Sequence, residues 1–308
     1  MASLFLSLLF ADDTTLQLEG PNLTELIKRA NSELKKADEW FSSNLLTLNG
    51  KKTKYMIFSP RATNFEDLPP LTIRDSTIER VGADTDETTI RFLGVLVDDK
   101  LNFESHLNKL RIKLGHALYY LSSCKSCTPL RIKRNIYFSL FESHLRFGCL
   151  MYGSASNNEL AKIFTQQKRA VRLASGEHFL AHTDPLFLKL KILKLHDLIA
   201  LERVCLVHKF FNKKLPKAFS EDFLTIIPTA DLKRRQDPLF YSVPLILKPL
   251  ARSPTILLVL AWNSTPLHIR AIPEYKPFKI AFTNHCLDSY NAVCEEKNCY
   301  ACNSRSYN

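Results

Sequence analysis

Ser3-Leu4-Phe5-Leu6-Ser7-Leu8-Leu9-Phe10-Ala11-Asp12-Asp13-Thr14-Thr15-Leu16-Gln17-Leu18 strings together an apolar run, two adjacent carboxylates and a second, alternating run. This pattern reads as a β-hairpin with Asp12 and Asp13 at its turn. Neighbouring acids at the end of a hydrophobic strand repel one another and call for a cation. Mg²⁺ answers that need, since it takes one or two carboxylates together with substrate phosphates. A solvated Asp-Asp turn is the plain alternative.

Working outward, the 308 residues are enough for a sizeable core and two or three domains, and an apolar content of 45% is that of an ordinary globular chain. The net charge of +11 is unevenly spread. Residues 1–100 carry 12 Lys/Arg against 16 Asp/Glu, residues 101–220 carry 20 against 7, and residues 221–308 carry 10 against 8. The positive excess therefore sits in the middle third, where a polyanion would be held. Eight cysteines in so long a chain show no disulfide framework, which favours a reducing compartment. Met1–Ala11 mimics the apolar centre of a secretory signal but lacks a basic leader and runs straight into two acids, so it reads as a strand. The chain is expected to be intracellular, in nucleus or cytoplasm, and not secreted. No membrane span is expected either, because Leu257–Ala261 is short and surrounded by prolines.

After the hairpin, Gly20-Pro21-Asn22 starts a helix whose apolar face takes in Leu23, Leu26, Ile27, Ala30, Leu34, Ala37, Trp40 and Phe41. Trp40 and Phe41 are expected in the core. Asn49-Gly50-Lys51-Lys52-Thr53-Lys54 then makes a basic turn leading into a strand at Tyr55–Ser59. Residues 60–90 read as a polar loop with short strands near Leu71–Ile73 and Ile78–Val81. Arg91–Val97 reads as a strong strand, with Gly94 marking a bulge or a close backbone approach. Asp98-Asp99-Lys100 reads as a tight turn.

From Glu104 the period becomes helical. Phe103, Leu107, Leu110, Leu114, Leu118 and Leu121 mark one helix; Ile132, Ile136, Leu140, Phe141 and Leu145 a second; Leu160, Ile163, Phe164 and Val171 a third. Their other faces carry Lys109, Arg111, Lys113, Arg131, Lys133, Arg134, Lys168, Arg169 and Arg172, a basic set suited to a phosphate backbone. Residues 186–215 are again helical. Prolines then break the period until a last amphipathic stretch, Phe278–Tyr290.

Taken in order, these stretches resemble the C-terminal half of the polymerase of non-LTR, LINE-type retrotransposons, most like the jockey-related group. The matching residues are Phe10-Ala11-Asp12-Asp13-Thr14-Thr15, Trp40-Phe41-Ser42-Ser43-Asn44, Leu48-Asn49-Gly50-Lys51-Lys52-Thr53 and Arg91-Phe92-Leu93-Gly94-Val95 with Asp98 and His106. Gln167-Lys168-Arg169-Ala170-Val171-Arg172, Ala261-Trp262-Asn263-Ser264 with Pro266, and Phe278-Lys279 continue the series. Each is weak alone; their order is specific.

The resemblance implies an α+β fold: a partial reverse-transcriptase palm sheet with a packed helix over 1–100, a mostly helical thumb over 101–180, and a helical and irregular C-terminal domain over 181–308. It implies Asp12 as a Mg²⁺ ligand with Asp13 as its neighbour, in two-metal nucleotidyl transfer. Lys52 would lie near the nucleotide phosphates, and Phe92-Leu93-Gly94 would form the primer-grip hairpin. The basic helices would follow an RNA template paired with a DNA primer, extended with dNTPs. The family's palm also carries an earlier metal-binding Asp and fingers. Because this chain starts about ten residues before its acidic pair, a 5′-truncated copy with little activity of its own is expected, with an intact element-encoded polymerase as a further partner. A catalytically inactive nucleic-acid-binding remnant is the alternative, and an unfolded product a third.

Cys286, Cys294, Cys299 and Cys302, beside His285, have close-pair spacing only at 299–302, so structural zinc is not expected. Cys124-Lys125-Ser126-Cys127 lacks the βαβ context of a redox motif. His106, His116 and His144 fall in no hydrolase arrangement.

Overall fold

The computed structural model describes residues 5–59, 65, 68–124, 128–216 and 253–290, and the chain divides into two compact units, Met1–Leu101 and Asn102–Asn308. The coarse class is α+β: the first unit mixes one long helix with short strands, and the second is helical.

In the first unit, β1 (Phe5–Phe10) and β2 (Asp13–Leu18) pair antiparallel, with Phe10 opposite Asp13 and Phe5 opposite Leu18. Helix α1 (Leu23–Ser43) follows, its N-cap Asn22 accepting the Glu25 N–H at 3.2 Å. Ile27 and Ala30 of α1 form a core with Leu71, Ile73 and Ile78, and Leu18, Leu23, Leu34, Leu48, Tyr55 and Ile57 pack around it. The end of β2 is thus fastened to the helix that follows it. Asn31 strengthens the join, donating to the Pro70 carbonyl and accepting the Thr72 N–H, both at 2.9 Å. Arg74 forks onto Asp38, at 2.8 and 2.9 Å.

The remaining strands are β3 (Lys54–Met56), parallel to β6 (Glu79–Val81); β4 (Thr72–Ile73), antiparallel to β5 (Ser76–Thr77); and β7 (Thr89–Phe92), antiparallel to β8 (Val95–Asp98). Where the resemblance implies one palm sheet, the described strands form four separate two-stranded sheets. Two further expectations are corrected. Trp40 is 61% exposed rather than in the core, because α1 buries the side carrying Ile27 and Ala30. Arg91–Val97 is not one strand: Leu93 and Gly94 both take positive φ, 44° and 90°, and the chain reverses there into a hairpin.

The second unit contains α2 (Glu104–Ser123), α3 (Leu130–Ile136), a π-helical stretch (Tyr137–Glu142), α4 (Ser143–Arg146), α5 (Cys149–Tyr152), α6 (Asn157–Ser175), α7 (Asp184–Leu190) and α8 (Leu195–Phe211). After the undescribed segment come α9 (Pro254–Ser264), α10 (Leu267–Arg270) and α11 (Tyr275–Asp288). All six apolar residues expected to face inward around α2 are buried. On the next helix, Phe141 and Leu145 are buried as expected and Ile136 is half-buried, whereas Ile132 and Leu140 are exposed and Lys133 and Tyr137 take inward positions. From Tyr137 onward the π-helical stretch explains this: its wider turn keeps Tyr137, Phe141 and Leu145 on one inward face at a four-residue spacing, which the ordinary 3.6-residue period would rotate away.

Helix α6 is closed at both ends, by Ser156 accepting the Glu159 N–H at 3.3 Å and by Gly176 at φ 76°. Trp262 of α9 is buried between Phe211 and Phe278, at ring-centroid distances of 5.0 and 5.9 Å, which gives the Ala261–Ser264 motif a packing role. No helix among the described residues is long and apolar enough to cross a membrane.

Candidate catalytic hairpin and nucleic-acid interface

Asp12 and Asp13 stand at the tip of the β1–β2 hairpin, where Ala11-Asp12 is the two-residue loop and Asp13 is the first residue of β2. Both carboxylates are exposed. Ala11 has φ 53°. Positive φ at the first loop position suits the right-handed twist of a tight hairpin, and a residue other than glycine holds it only under strain. The strain sits one residue before the acidic pair. Around it, Leu9 and Phe10 are 73% and 64% exposed, so the apolar run is open at this end of β1. Among the described residues, no group of three or more His, Cys, Asp or Glu comes together in a metal-binding cluster.

Lys52 lies in the turn before β3, its N–H donating to the Asn49 carbonyl at 3.1 Å and its side chain exposed. Nearby Lys54 is occupied differently, pairing with Glu79 at 3.5 Å and with Glu87. Phe92 and Leu93 are exposed at the tip of the β7–β8 hairpin, with Gly94 beside them. Asp98 closes the following turn, accepting the Lys100 N–H at 3.1 Å.

The nine cations of the basic set differ sharply in placement. Lys109, Lys113, Arg131 and Arg169 are exposed. Arg111 is half-buried on α2. Arg134 donates to the Leu190 carbonyl at 2.6 Å and lies over the Phe138 ring, and Arg172 donates to the Ala181 carbonyl at 2.7 Å, with burial lowering its pKa. Lys133 and Lys168 are buried, contrary to the expectation of an outward-facing basic set: Lys168 lies 4.8 Å from the Phe164 ring centre, and Lys133 faces inward on α3. Their four-residue neighbours explain this, since inward positions on these helices fall where the chain places lysine, and the long stem buries as an apolar side chain would.

Sequence reasoning missed Gln167. Fully buried, it donates to the Tyr137 hydroxyl at 2.9 Å and the Leu193 carbonyl at 3.0 Å, and accepts the Leu195 N–H at 2.8 Å, so it caps α8 from inside the core. It also missed Tyr119 and Tyr120, which stand exposed on α2 with ring centres 5.9 Å apart. Buried His106 lies 5.7 Å from the Tyr152 ring, and burial lowers its pKa. Of the C-terminal cysteines, Cys286 is buried, and burial pushes its thiol up to about 12. Cys294, Cys299 and Cys302, like residues 125–127 of the Cys124–Cys127 stretch, lie outside the described residues.

Among curated proteins, the chain is similar to the "Probable RNA-directed DNA polymerase from transposon X-element" of Drosophila melanogaster, at 25% identity over 162 residues. The match takes in 52% of this chain and 17% of that protein, so the chain spans well under a fifth of its relative. The resemblance to a non-LTR reverse transcriptase is borne out by this relationship. No family model matches the chain. No solved structure matches it either.

Proposed function

We propose that the chain is a segment of a non-LTR retrotransposon reverse transcriptase, contributing the acidic hairpin of the polymerase centre and a basic helical unit that holds RNA template and DNA primer. The observation that carries this reading is the placement of Asp12 and Asp13 at the exposed tip of an antiparallel hairpin, within a chain similar to a transposon polymerase.

Two hard carboxylates suit Mg²⁺, which completes its shell with water and substrate phosphates, so Asp12 and Asp13 are the residues that would hold it. Bound there, the metal would activate the primer hydroxyl and steady the leaving pyrophosphate. Lys52, exposed on its turn, would meet the phosphates of the incoming dNTP. Phe92 and Leu93 would present an apolar hairpin tip to the primer end, with Gly94 allowing close backbone approach. The exposed cations Lys109, Lys113, Arg131 and Arg169 would neutralise backbone phosphates.

A second reading, nucleic-acid binding without chemistry, is favoured by one observation: no third metal-ligating side chain joins Asp12 and Asp13 among the described residues. Two carboxylates alone hold a divalent ion weakly, so the isolated chain should bind template–primer and extend it poorly. Primer extension with Mg²⁺ and four dNTPs, run beside a binding titration against salt, separates the readings. Salt-sensitive binding with little extension is expected. Robust extension lost in Asp12→Asn would make the chain a polymerase in its own right; absence of binding at low salt would sink both readings.

A further inference from the structure

Helix α2 buries Leu107, Leu110, Leu114, Ala117, Leu118 and Leu121, and the side opposite them carries Lys109, Ile112, Lys113, His116, Tyr119 and Tyr120, all exposed. These six recur at spacings of three and four, so they form one face about 16 Å long at 1.5 Å per residue. Ile112, Tyr119 and Tyr120 are 63%, 70% and 55% exposed.

A helix face kept only for solubility mixes charges of both signs. This one does not. After Glu104, α2 contains no carboxylate, and among the described residues no carboxylate lies within ion-pair distance of Lys109 or Lys113. Uncompensated cations interleaved with exposed rings match a ligand that offers anionic groups and flat apolar faces side by side, which describes a nucleic-acid strand. A duplex keeps its base faces inside the stack, so exposed tyrosine rings gain little from it; unpaired bases can splay out and stack.

We infer that this face of α2 binds single-stranded nucleic acid, with Lys109 and Lys113 on backbone phosphates and Tyr119 and Tyr120 stacked against unpaired bases. The inference rests on the reading of the second unit as a nucleic-acid holder and adds to it which form of nucleic acid this face takes. His116, between the two lysines and the two tyrosines, gives the strand a further polar contact.

The test uses the full chain, a short labelled oligothymidylate, a duplex of matched length, and a single strand carrying 2-aminopurine, all at equal ionic strength. The alanine pair Tyr119→Ala/Tyr120→Ala should weaken single-strand binding about tenfold or more and abolish the 2-aminopurine change, with duplex binding little altered. The pair Tyr119→Phe/Tyr120→Phe keeps the rings and should bind as the parent does. Lys109→Gln/Lys113→Gln should weaken both forms and flatten the salt dependence. Circular dichroism checks that α2 is intact, as expected for exposed positions. The inference is overturned if the alanine pair binds single strands like the parent, or loses single strand and duplex equally. In either case the basic unit remains a holder of backbone only. If the parent binds neither form, the broader reading fails with it.

Discussion

The side-chain amide of Gln167 donates to the Tyr137 hydroxyl across 2.9 Å, and the two fully buried groups tie α6 to the π-helical stretch. The same amide reaches the Leu193 carbonyl and accepts the Leu195 N–H, so one side chain satisfies three core partners and the first turn of α8. Burial and the Glu142 charge hold the Tyr137 phenol well above its usual range, so it stays a neutral partner. Replacing Gln167 with Leu keeps the volume but strands all three, each costing roughly 1–3 kcal/mol. A loss of several kcal/mol in urea unfolding is expected; a variant as stable as the parent would show that water takes over the partners.

Lys194 and Asp184 form a buried ion pair at 2.9 Å, with Lys194 also 4.4 Å from the Tyr290 ring centre. The Tyr290 hydroxyl accepts the Lys194 N–H at 2.9 Å and donates to Asp197 at 2.5 Å, so the residue just beyond α11 fastens the start of α8. Removing one ion leaves the other buried and uncompensated. Lys194→Met should therefore cost about 3–5 kcal/mol, whereas Lys194→Met with Asp184→Leu should recover most of it. Denaturant midpoints of the two variants decide this.

His196 is half-buried against the Phe164 ring, with centroids 5.7 Å apart, and desolvation, with Lys194 and Arg203 adding to it, pushes its pKa down to about 4. Its unfolded value is near 6.5, so between these values the unfolded chain binds the extra proton. The stabilisation is complete above pH 6.5 and is lost as pH falls towards 4, amounting to about 3 kcal/mol at most. Unfolding at pH 7.5 and pH 5 should show the drop, and His196→Phe should shrink it. An unchanged slope in the variant would assign the acid sensitivity elsewhere.

Periodicity made α1, α2 and α6 legible, because a long amphipathic helix repeats its signal over several turns. The acidic hairpin was legible too, since Asp12 and Asp13 interrupt two runs of strand-forming residues. The reversal at Leu93-Gly94 was not legible from the period of the residues, because a leucine at positive φ gives no local sign of a turn; only the family resemblance implied a hairpin there. Trp40 was misplaced for a different reason: the helical period says which residues share a face, but not whether another element covers it. At the candidate interface the same limit applied to charge. Lys133 and Lys168 look like Lys109 and Lys113 in the sequence, and only the packing around α3 and α6 draws the first pair inward. Gln167 stands among basic neighbours that dominate the local pattern, and nothing in the sequence marks it as the buried polar residue whose hydrogen-bonding groups need partners in the core.

That division of the lysines separates stability from binding. Lys109 and Lys113 are exposed and within ion-pair distance of no described carboxylate, so Lys109→Ala and Lys113→Ala should leave unfolding within about 0.5 kcal/mol of the parent. Each should lower the salt slope of nucleic-acid binding by roughly 0.7–0.9, the share of one phosphate contact. Lys133→Ala and Lys168→Ala remove buried stems, Lys168 with its contact to the Phe164 ring, and should destabilise by roughly 1–3 kcal/mol while leaving the slope alone. Measuring slope and unfolding for all four variants tests the partition directly. If the Lys133 or Lys168 variant flattens the salt dependence as much as Lys109→Ala does, those ammonium groups reach the phosphates after all, and the inward positions of α3 and α6 are part of the interface.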